Sequence, residues 1–382
     1  MANTLKFGNG EWYGKKDTIL AYNDLNSNYK PLPFDFIRGS SATVINKDGL
    51  IETVGSGEPR IDYKDNSKGA LLLEPSRGNL VKSSGDISTQ STYWLSNQGG
   101  TSVQNATTAP DGSNTASQIN TFGQQYGGIT QGSISVSNNE YTYSIYLKAK
   151  NGTPNIRLIF FDGVTFHSSD FTILSEWKRY DYKFTPVSGS FQIYITCPYV
   201  KTSFYAWGAQ VEQGSYATSY IPTQGTAQTR LADSCTQTVP DGVIGQTEGT
   251  LFLDFEKQHN AVEVWSINDD TVSNRVYLGF NGSNFISQVR SSGGSSQAFF
   301  STPINNDTRY KCAIAYKQND FVLYINGVQI GTDNSGVVPL NMSKLSAYSS
   351  NSSDAPFFSP TNEVKLYNTR LSNSELAALT QV

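Results

Sequence analysis

The sequence predicts an all-β chain: an irregular N-terminal segment followed by two antiparallel β-sandwiches. Three observations lead there. Nearly every periodic stretch alternates apolar and polar residues, the pattern of strands with one face in a core and the other in water. The stretches are short and separated by turn dipeptides, Asn151-Gly152, Asp162-Gly163, Ser188-Gly189, Asn281-Gly282 and Asn326-Gly327, as in sandwiches rather than α/β folds. Aromatic residues make up 12% and charged residues only 16% of the chain, against roughly 25% charged in ordinary soluble proteins. That composition argues against disorder, which needs low hydrophobicity and high net charge. At 382 residues and about 150 residues per domain, two or three domains are expected.

Residues 1–83 carry dense charge and many Gly and Pro residues with weak periodicity, and read as a sheet-poor collar. Residues 84–234 form the first strand-rich set. Tyr141, Tyr143, Ile145, Leu147 and Ala149 line one strand face; Phe191, Ile193, Ile195 and Cys197 line another; Phe204 to Gly208 closes the set. The polar, turn-rich stretch Thr218 to Val243 reads as a linker. Residues 235–382 form the second set, with alternation in Tyr310, Cys312, Ile314, Tyr316 and in Phe321, Leu323, Ile325. One helix is expected. Ser372-Asn-Ser-Glu375 fits a capping box, and Leu376 and Leu379 supply a short apolar face.

Several classes of function fall away. The formal net charge of −4 gives no general attraction to nucleic acid or anionic lipid. No apolar run approaches the roughly 18 residues of a membrane helix. The opening MANTLKFGNGEW lacks a basic-then-apolar pattern, so no secretory signal is expected. The Asn-x-Ser/Thr triplets at Asn105, Asn151, Asn281, Asn341 and Asn351 follow from a composition crowded with those residues. The three cysteines are far apart and odd in number, which excludes a disulfide framework or a Cys-rich zinc site. Cys197 and Cys312 read as buried on strands, Cys235 as a boundary residue. Two histidines, His167 and His259, make no metal centre alone.

In the first region the string Asp35-Phe-Ile-Arg38-Gly-Ser-Ser41-Ala-Thr43 precedes Asn46-Lys-Asp-Gly49-Leu-Ile-Glu52. Glu58-Pro-Arg60-Ile-Asp62-Tyr63 and Leu71-Leu-Leu-Glu74-Pro-Ser-Arg77-Gly-Asn79-Leu80 follow. This ordered set resembles a segment of bacteriophage virion fibre and receptor-binding proteins, with Gly78 where that family usually has Thr. Tyr93-Trp94, the run Ala109 to Ala116, and the run Trp207 to Thr223 resemble the opening and closing of a carbohydrate-binding jelly roll. Gly249 to Phe255, Phe321 to Gly327 and Glu363 to Ser372 resemble a concanavalin-like, laminin-G-type sandwich.

The sharpest enzymatic suspicion is Phe252-Leu-Asp254-Phe-Glu256. Concanavalin-like glucanases carry Glu-x-Asp-x-(x)-Glu on one strand, and retaining hydrolysis uses two carboxylates roughly 5–5.5 Å apart. Phe252 stands where the first Glu should be, so Asp254 and Glu256 are read as an exposed strand face. Asp162, His167 and Asp170 form either a solvated turn or a grip for a sugar or calcium ion. A structural calcium is left open, since its six to eight oxygens are not specified. Nucleophile elbow, Walker loop and metal-type His pair are missing; Gly293-Gly294 reads as a loop. A sugar's C–H face stacks on aromatic rings while polar groups bind its hydroxyls. Tyr126, Trp177 and Tyr199 in the middle region, and Trp265, Tyr277, Arg290 and Tyr348 in the last, are candidate glycan contacts. Asp35, Arg38, Arg60, Asp62, Glu74 and Arg77 are candidates for assembly or attachment: they form buried ion pairs, or they meet a neighbouring virion protein.

The resemblance implies a non-enzymatic virion fibre protein, a head or tail fibre, made in the host cytoplasm and displayed on the virion surface. It would be a homo-oligomer, typically a trimer, docked on other virion proteins through its N-terminal segment and recognising host-surface glycan. It would need no cofactor. The alternatives are a polysaccharide depolymerase on the same scaffold, and a purely structural decoration protein.

Overall fold

A computed structural model of the chain describes residues 3–26, 28–187, 189–291, 293–350 and 355–382. Ser188 of one expected turn, Ser292 beside the glycine pair, and the Asn351 triplet lie outside the described residues. The chain is nearly all strand, with one short helix. It divides into two compact units: Met1–Gly49, Val54–Pro75 and Ala232–Val382 form unit 1, and Leu50–Thr53 with Ser76–Leu231 form unit 2. These boundaries differ from the three consecutive regions expected. Unit 2 is inserted into the chain of unit 1.

Unit 1 is built on one long antiparallel ladder. It runs from Ser295–Pro303 through Asn284–Ser291, Arg275–Asn281, Val262–Asn268, Lys344–Ser346 and Ser234–Thr238 to Lys30–Ile37. It continues through Thr18–Asn23, Leu5–Gly8, Thr361–Tyr367, Glu248–Lys257, Thr308–Lys317 and Asp320–Ile325 to Val328–Asp333. The two halves face each other across a core. Trp265, Leu278 and Phe280 come from one side, Leu251, Leu253, Phe255 and Ile314 from the other. Phe255 stacks on Phe280 at 5.9 Å.

The N-terminal stretch is therefore not irregular. Leu5 pairs with Leu366 and Phe7 with Val364. Phe7 stacks on Phe34 at 4.9 Å. These strands escape a periodicity search because each offers only two inward apolar residues: Leu5 and Phe7, Ile19 and Ala21, Phe34 and Phe36. Pro31 and Pro33 are tolerated because Lys30–Ile37 is paired on its second side only from Asp35 to Ile37, leaving the proline end as a sheet edge. Cys235 is no boundary residue; it is fully buried on Ser234–Thr238. Cys312 is buried on a strand, and Cys197 is buried just past the end of one.

Unit 2 is a jelly-roll-type sandwich of two five-stranded antiparallel sheets. One sheet orders Trp94–Asn97, Gly128–Val136, Gly189–Thr196, Asn155–Phe161 and Phe166–Thr172. The other orders Thr101–Thr107, Ala116–Phe122, Lys201–Gln213, Tyr141–Ala149 and Lys178–Phe184. Between them lie Trp94, Ile129, Phe160, Ile193, Tyr143, Ile145 and Phe204. The ends of this unit are tied to each other: Arg77–Asn79 pairs with Gln228–Arg230.

The stretch expected to be a linker is ordered, and the Trp207 to Thr223 motif shows why. Glu212, buried on the last long strand, accepts hydrogen bonds from Gln210 Nε2 at 2.7 Å, Thr218 N at 2.9 Å and Thr218 Oγ1 at 2.6 Å. Gln210 accepts from Ile221 N at 2.8 Å, and Tyr220 packs on Trp207 at 4.5 Å. The motif staples its own exit segment to the sheet. Removing a buried acceptor that serves several donors costs about 1–3 kcal/mol. Glu212→Ala is expected to lose that much in urea denaturation of the chain; an unchanged midpoint would show that the staple adds nothing to stability.

The helix spans Asn373–Leu379, with Ser372 as N-cap and the expected capping box to Glu375. Leu376 is buried against Phe252, Ala313, Ala315, Val322 and Tyr324.

Candidate functional site

The outer face of the first sheet of unit 2 collects aromatic and polar side chains. Register places Phe161 opposite Phe166, Ile159 opposite Ser168 and Arg157 opposite Asp170 on the two last strands. Tyr194 and Gln192 extend the same face, opposite Ile159 and Phe161. Alternation forces this arrangement, because Ile156, Leu158, Phe160, Ile193 and Ile195 of the same strands fill the core. Phe166 is 44% exposed. It stacks on Phe161 at 4.3 Å and on Tyr126, from the loop before Gly128–Val136, at 5.1 Å with rings 8° from parallel. The loop is held by Asn97 Nδ2 donating to Tyr126 O at 2.5 Å and Tyr126 N donating to Gln98 Oε1 at 2.9 Å.

Polar groups border this aromatic row. Arg157 grips Asp170 through two parallel bonds, Nε to Oδ1 at 2.5 Å and Nη2 to Oδ2 at 2.7 Å. The pair lowers the Asp170 carboxyl and raises the guanidinium, so this part of the face carries no net charge. Tyr194 Oη donates to Gln192 Oε1. Tyr199 is 68% exposed with φ +59°. Its N–H donates to Gln124 O at 3.2 Å, on the Tyr126 loop. The surface offers stacked rings beside amide, hydroxyl and guanidinium groups.

Of the residues singled out in the sequence, Tyr126 and Tyr199 are brought to this face. Trp177 is not: it lies just before Lys178–Phe184 of the opposite sheet, and its indole N–H donates to Thr108 O, just past Thr101–Thr107, at 2.9 Å. Trp265 is fully buried in the core of unit 1, donating to Thr361 Oγ1 at 3.1 Å, so no sugar reaches it. Tyr277 and Tyr348 are nearly buried, and Arg290 lies half-buried. Of the other residues on this face, the sequence marks only Asp170, within the Asp162, His167 and Asp170 grouping; Phe161, Phe166, Tyr194, Arg157 and Gln192 are not marked. Their one available signal was Phe166 and Asp170 two strand steps apart; the run Leu158-Ile-Phe-Phe161 hid the alternation on the partner strand.

The Asp162, His167 and Asp170 grouping is split by the pleat. Asp170 faces outward with Phe166, whereas His167 lies on the other face, its Nε2 2.9 Å from Asp162 Oδ2. Burial would raise the Asp162 carboxyl, but N–H groups of Thr165, Val164 and Val187, with His167, outweigh it and hold it well below the usual range. Asp162 organises a turn.

Asp254 is not on an open face. It is buried, with Arg309 donating to both its oxygens at 2.8 and 2.6 Å and Asn362 Nδ2 at 3.0 Å. The next outward position on its strand, Phe252, is covered by the C-terminal helix. Glu256 is half-buried, and burial raises its carboxyl. A carboxylate locked by a bidentate arginine is poorly placed to attack or protonate a sugar. Among the described residues, no group of three or more His, Cys, Asp and Glu side chains converges on a metal-sized point.

The N-terminal charged residues make a buried network. Asp233 accepts from Arg38 Nη1 at 3.1 Å, from Arg60 Nη2, and from Glu74 N at 2.8 Å. Arg60 also reaches Glu74 at 2.5 Å and Thr43 O at 3.1 Å. Arg38, Arg60 and Glu74 are consequently closed to any neighbouring protein. Asp35 is exposed. Arg77, half-buried, lies over Tyr216 at 5.5 Å and 4.0 Å from Glu212. Asp62 is half-buried and accepts from Ile45 N at 3.2 Å; burial, with Glu74 nearby, pushes its carboxyl up to about 6.

An acid with a higher pKa folded than unfolded holds more protons in the folded state between the two values. Stability therefore falls as pH rises from about 4 to about 6 and is flat above. Asp62→Asn is expected to flatten this slope and raise the melting temperature at neutral pH. Thermal scans across that window check it; a slope identical to the parent chain would refute it.

No protein-family model matches this sequence, and no curated protein matches it. Solved structures do. The IT-sialidase CBM40 of Ruminococcus gnavus, bound to α2,3-sialyllactose, aligns over 36% of this chain and 84% of its own, with 15% identity and TM-score 0.32. The CBM22-1 xylan-binding domain from Paenibacillus barcinonensis Xyn10C aligns over 39% of this chain and 100% of its own, with 12% identity and TM-score 0.30. A leech intramolecular trans-sialidase aligns over 36% of this chain and only 24% of its own, with 17% identity and TM-score 0.31. Similarity at this level carries no argument about ligand or activity.

Proposed function

We propose that this chain is a non-catalytic glycan-recognition protein of a bacteriophage virion, binding host-surface saccharide through the outer face of unit 2. The observation that carries the reading is the row Tyr126, Phe166 and Phe161, stacked and partly open to solvent beside Arg157, Asp170, Gln192 and Tyr194. Exposed stacked rings contribute nothing to a core and gain most when a flat apolar surface covers them. A pyranose presents such a surface, with hydroxyls at its rim for the neighbouring amide and phenol groups. Because Arg157 is neutralised by Asp170, the site selects by shape and hydroxyl pattern, not by charge. The virion setting rests on the ordered N-terminal string and on the Trp207 to Thr223 run, which resemble phage fibre segments. Several copies on one particle would let weak sites suffice, since avidity exceeds single-site affinity by about 10²–10⁴.

The test is a glycan array probed with the full chain, coupled to a reducing-end assay on every polysaccharide that binds. Binding without new reducing ends supports the reading. New reducing ends would establish a depolymerase instead, and no binding to any glycan or host cell would leave a structural decoration protein. Light scattering at micromolar concentration tests the trimer; a stable monomer would remove it.

A further inference from the structure

One outer face of unit 1 carries a different chemistry. In the register of Arg275–Asn281 against Asn284–Ser291, Arg275 stands directly opposite Arg290 and Tyr277 opposite Gln288. All four point away from the core, because Val276, Leu278 and Val289 of the same strands lie inside it. Tyr277 Oη donates to Gln288 Oε1 at 3.1 Å, and Gln288 Nε2 donates to Ser296 Oγ at 3.0 Å. The Arg275 guanidinium lies 5.4 Å from the Tyr277 ring centre and donates to Ser349 Oγ.

Arg290 is the unusual member. It is half-buried, its Nε is shielded from solvent, and among the described residues that group has no acceptor. No carboxylate of the described residues pairs with it. The carboxylates on the neighbouring turn are already engaged: Asp269 by Thr271 and Asn274, Asp270 by Lys344. Like charges directly opposite in an antiparallel pair repel across about 4.5–5.5 Å, and a guanidinium withdrawn from water without a counter-charge is destabilising. An oxyanion at Arg290 supplies the missing counter-charge, the planar fork meeting two oxygens at once. Gln288 and Ser296 then supply hydrogen-bonding groups beside it, with Gln288 held in place by the nearly buried Tyr277.

We propose that this face of unit 1 is a second saccharide site, specific for an acidic sugar whose carboxylate, sulfate or phosphate is held by Arg290. It extends recognition beyond the neutral face of unit 2 and does not depend on it. Calorimetric titration of the full chain at low ionic strength tests it. The probes are a hyaluronan tetrasaccharide for carboxylate, a heparin tetrasaccharide for sulfate, a glycerol-phosphate oligomer for phosphate, and cellotetraose as the neutral control. At least one acidic probe is expected to bind, at least tenfold more weakly to Arg290→Gln, less so to Arg290→Lys, and equally well to Phe166→Ala. The probe that binds identifies the oxyanion. The proposal is overturned if no acidic probe binds the parent chain, if Arg290→Gln and Arg290→Lys bind as tightly as it does, or if acidic binding is lost in Phe166→Ala instead. Loss of cellotetraose binding in Phe166→Ala alone reports on unit 2 and leaves Arg290 to be judged by the acidic probes.

Discussion

Replacing Asp233 by alanine is expected to destabilise unit 1 by about 3–5 kcal/mol, the range for breaking a buried ion pair and stranding its partner. Two guanidiniums depend on this carboxylate. Arg38 and Arg60 are both buried, and each donates to a different Asp233 oxygen. Burial lowers the Arg60 guanidinium, and Asp233 and Glu74 more than compensate. Without Asp233, Arg60 keeps Glu74, and Arg38 loses the carboxylate that meets its Nη1 while still donating to Ser40 O and Gly55 O. Asp233→Asn preserves an acceptor and should lose less. Chemical denaturation of the two variants and the parent chain, followed by circular dichroism, measures the loss. A loss below about 1 kcal/mol, the scale of an exposed pair, would mean that water enters the network.

Replacing Phe166 by alanine is expected to weaken binding of the recognised neutral glycan by tenfold or more, about 1.4 kcal/mol, with little change in stability. Phe166 is 44% exposed, so its loss leaves no cavity of the kind that makes core truncations costly. It does remove the ring between Tyr126 and Phe161. Tyr199→Ala should weaken binding less, because that ring stands at the border with no stacked neighbour among the described residues. Calorimetry with the best glycan from the array measures both. Unchanged affinity in Phe166→Ala, with circular dichroism unchanged, would move the binding surface elsewhere.

The alternating runs made the all-β class and the core faces of unit 2 legible: Tyr141 to Ala149 and Phe191 to Cys197 bury the residues their pattern assigns. The capping box at Ser372 was legible for the same reason, being purely local. What was hidden is long-range. Nothing near Leu5 announces Leu366, and nothing near Arg60 announces Asp233, which sits in a stretch that reads as a linker. The charged positions of the N-terminal string were visible, but their shared acceptor lies on the far side of the insertion. The proposed binding face was half-legible. Tyr126 and Tyr199 were among the three aromatic candidates of the middle region, with Trp177. Phe161 and Phe166 were masked because an exposed phenylalanine on a strand looks like one more core residue. Asp254 misled for the opposite reason: alternation puts it outside the core, and a second layer, the C-terminal helix and Arg309, covers that side.

The pairing of Arg77–Asn79 with Gln228–Arg230 closes unit 2 at its neck, and Asp233 N donates to Glu74 O at 3.0 Å to close unit 1 at the corresponding point. Each unit thus has its severed ends side by side, within the roughly 5 Å of adjacent strands. The stretch 76–231 enters and leaves at adjacent points, so it can be replaced by another stretch, or shortened to a tight turn, without asking unit 1 to rethread. Recombination at Pro75 and Ala232 would exchange this stretch in one step, leaving Leu50–Thr53 as the part of unit 2 carried by the flanking chain.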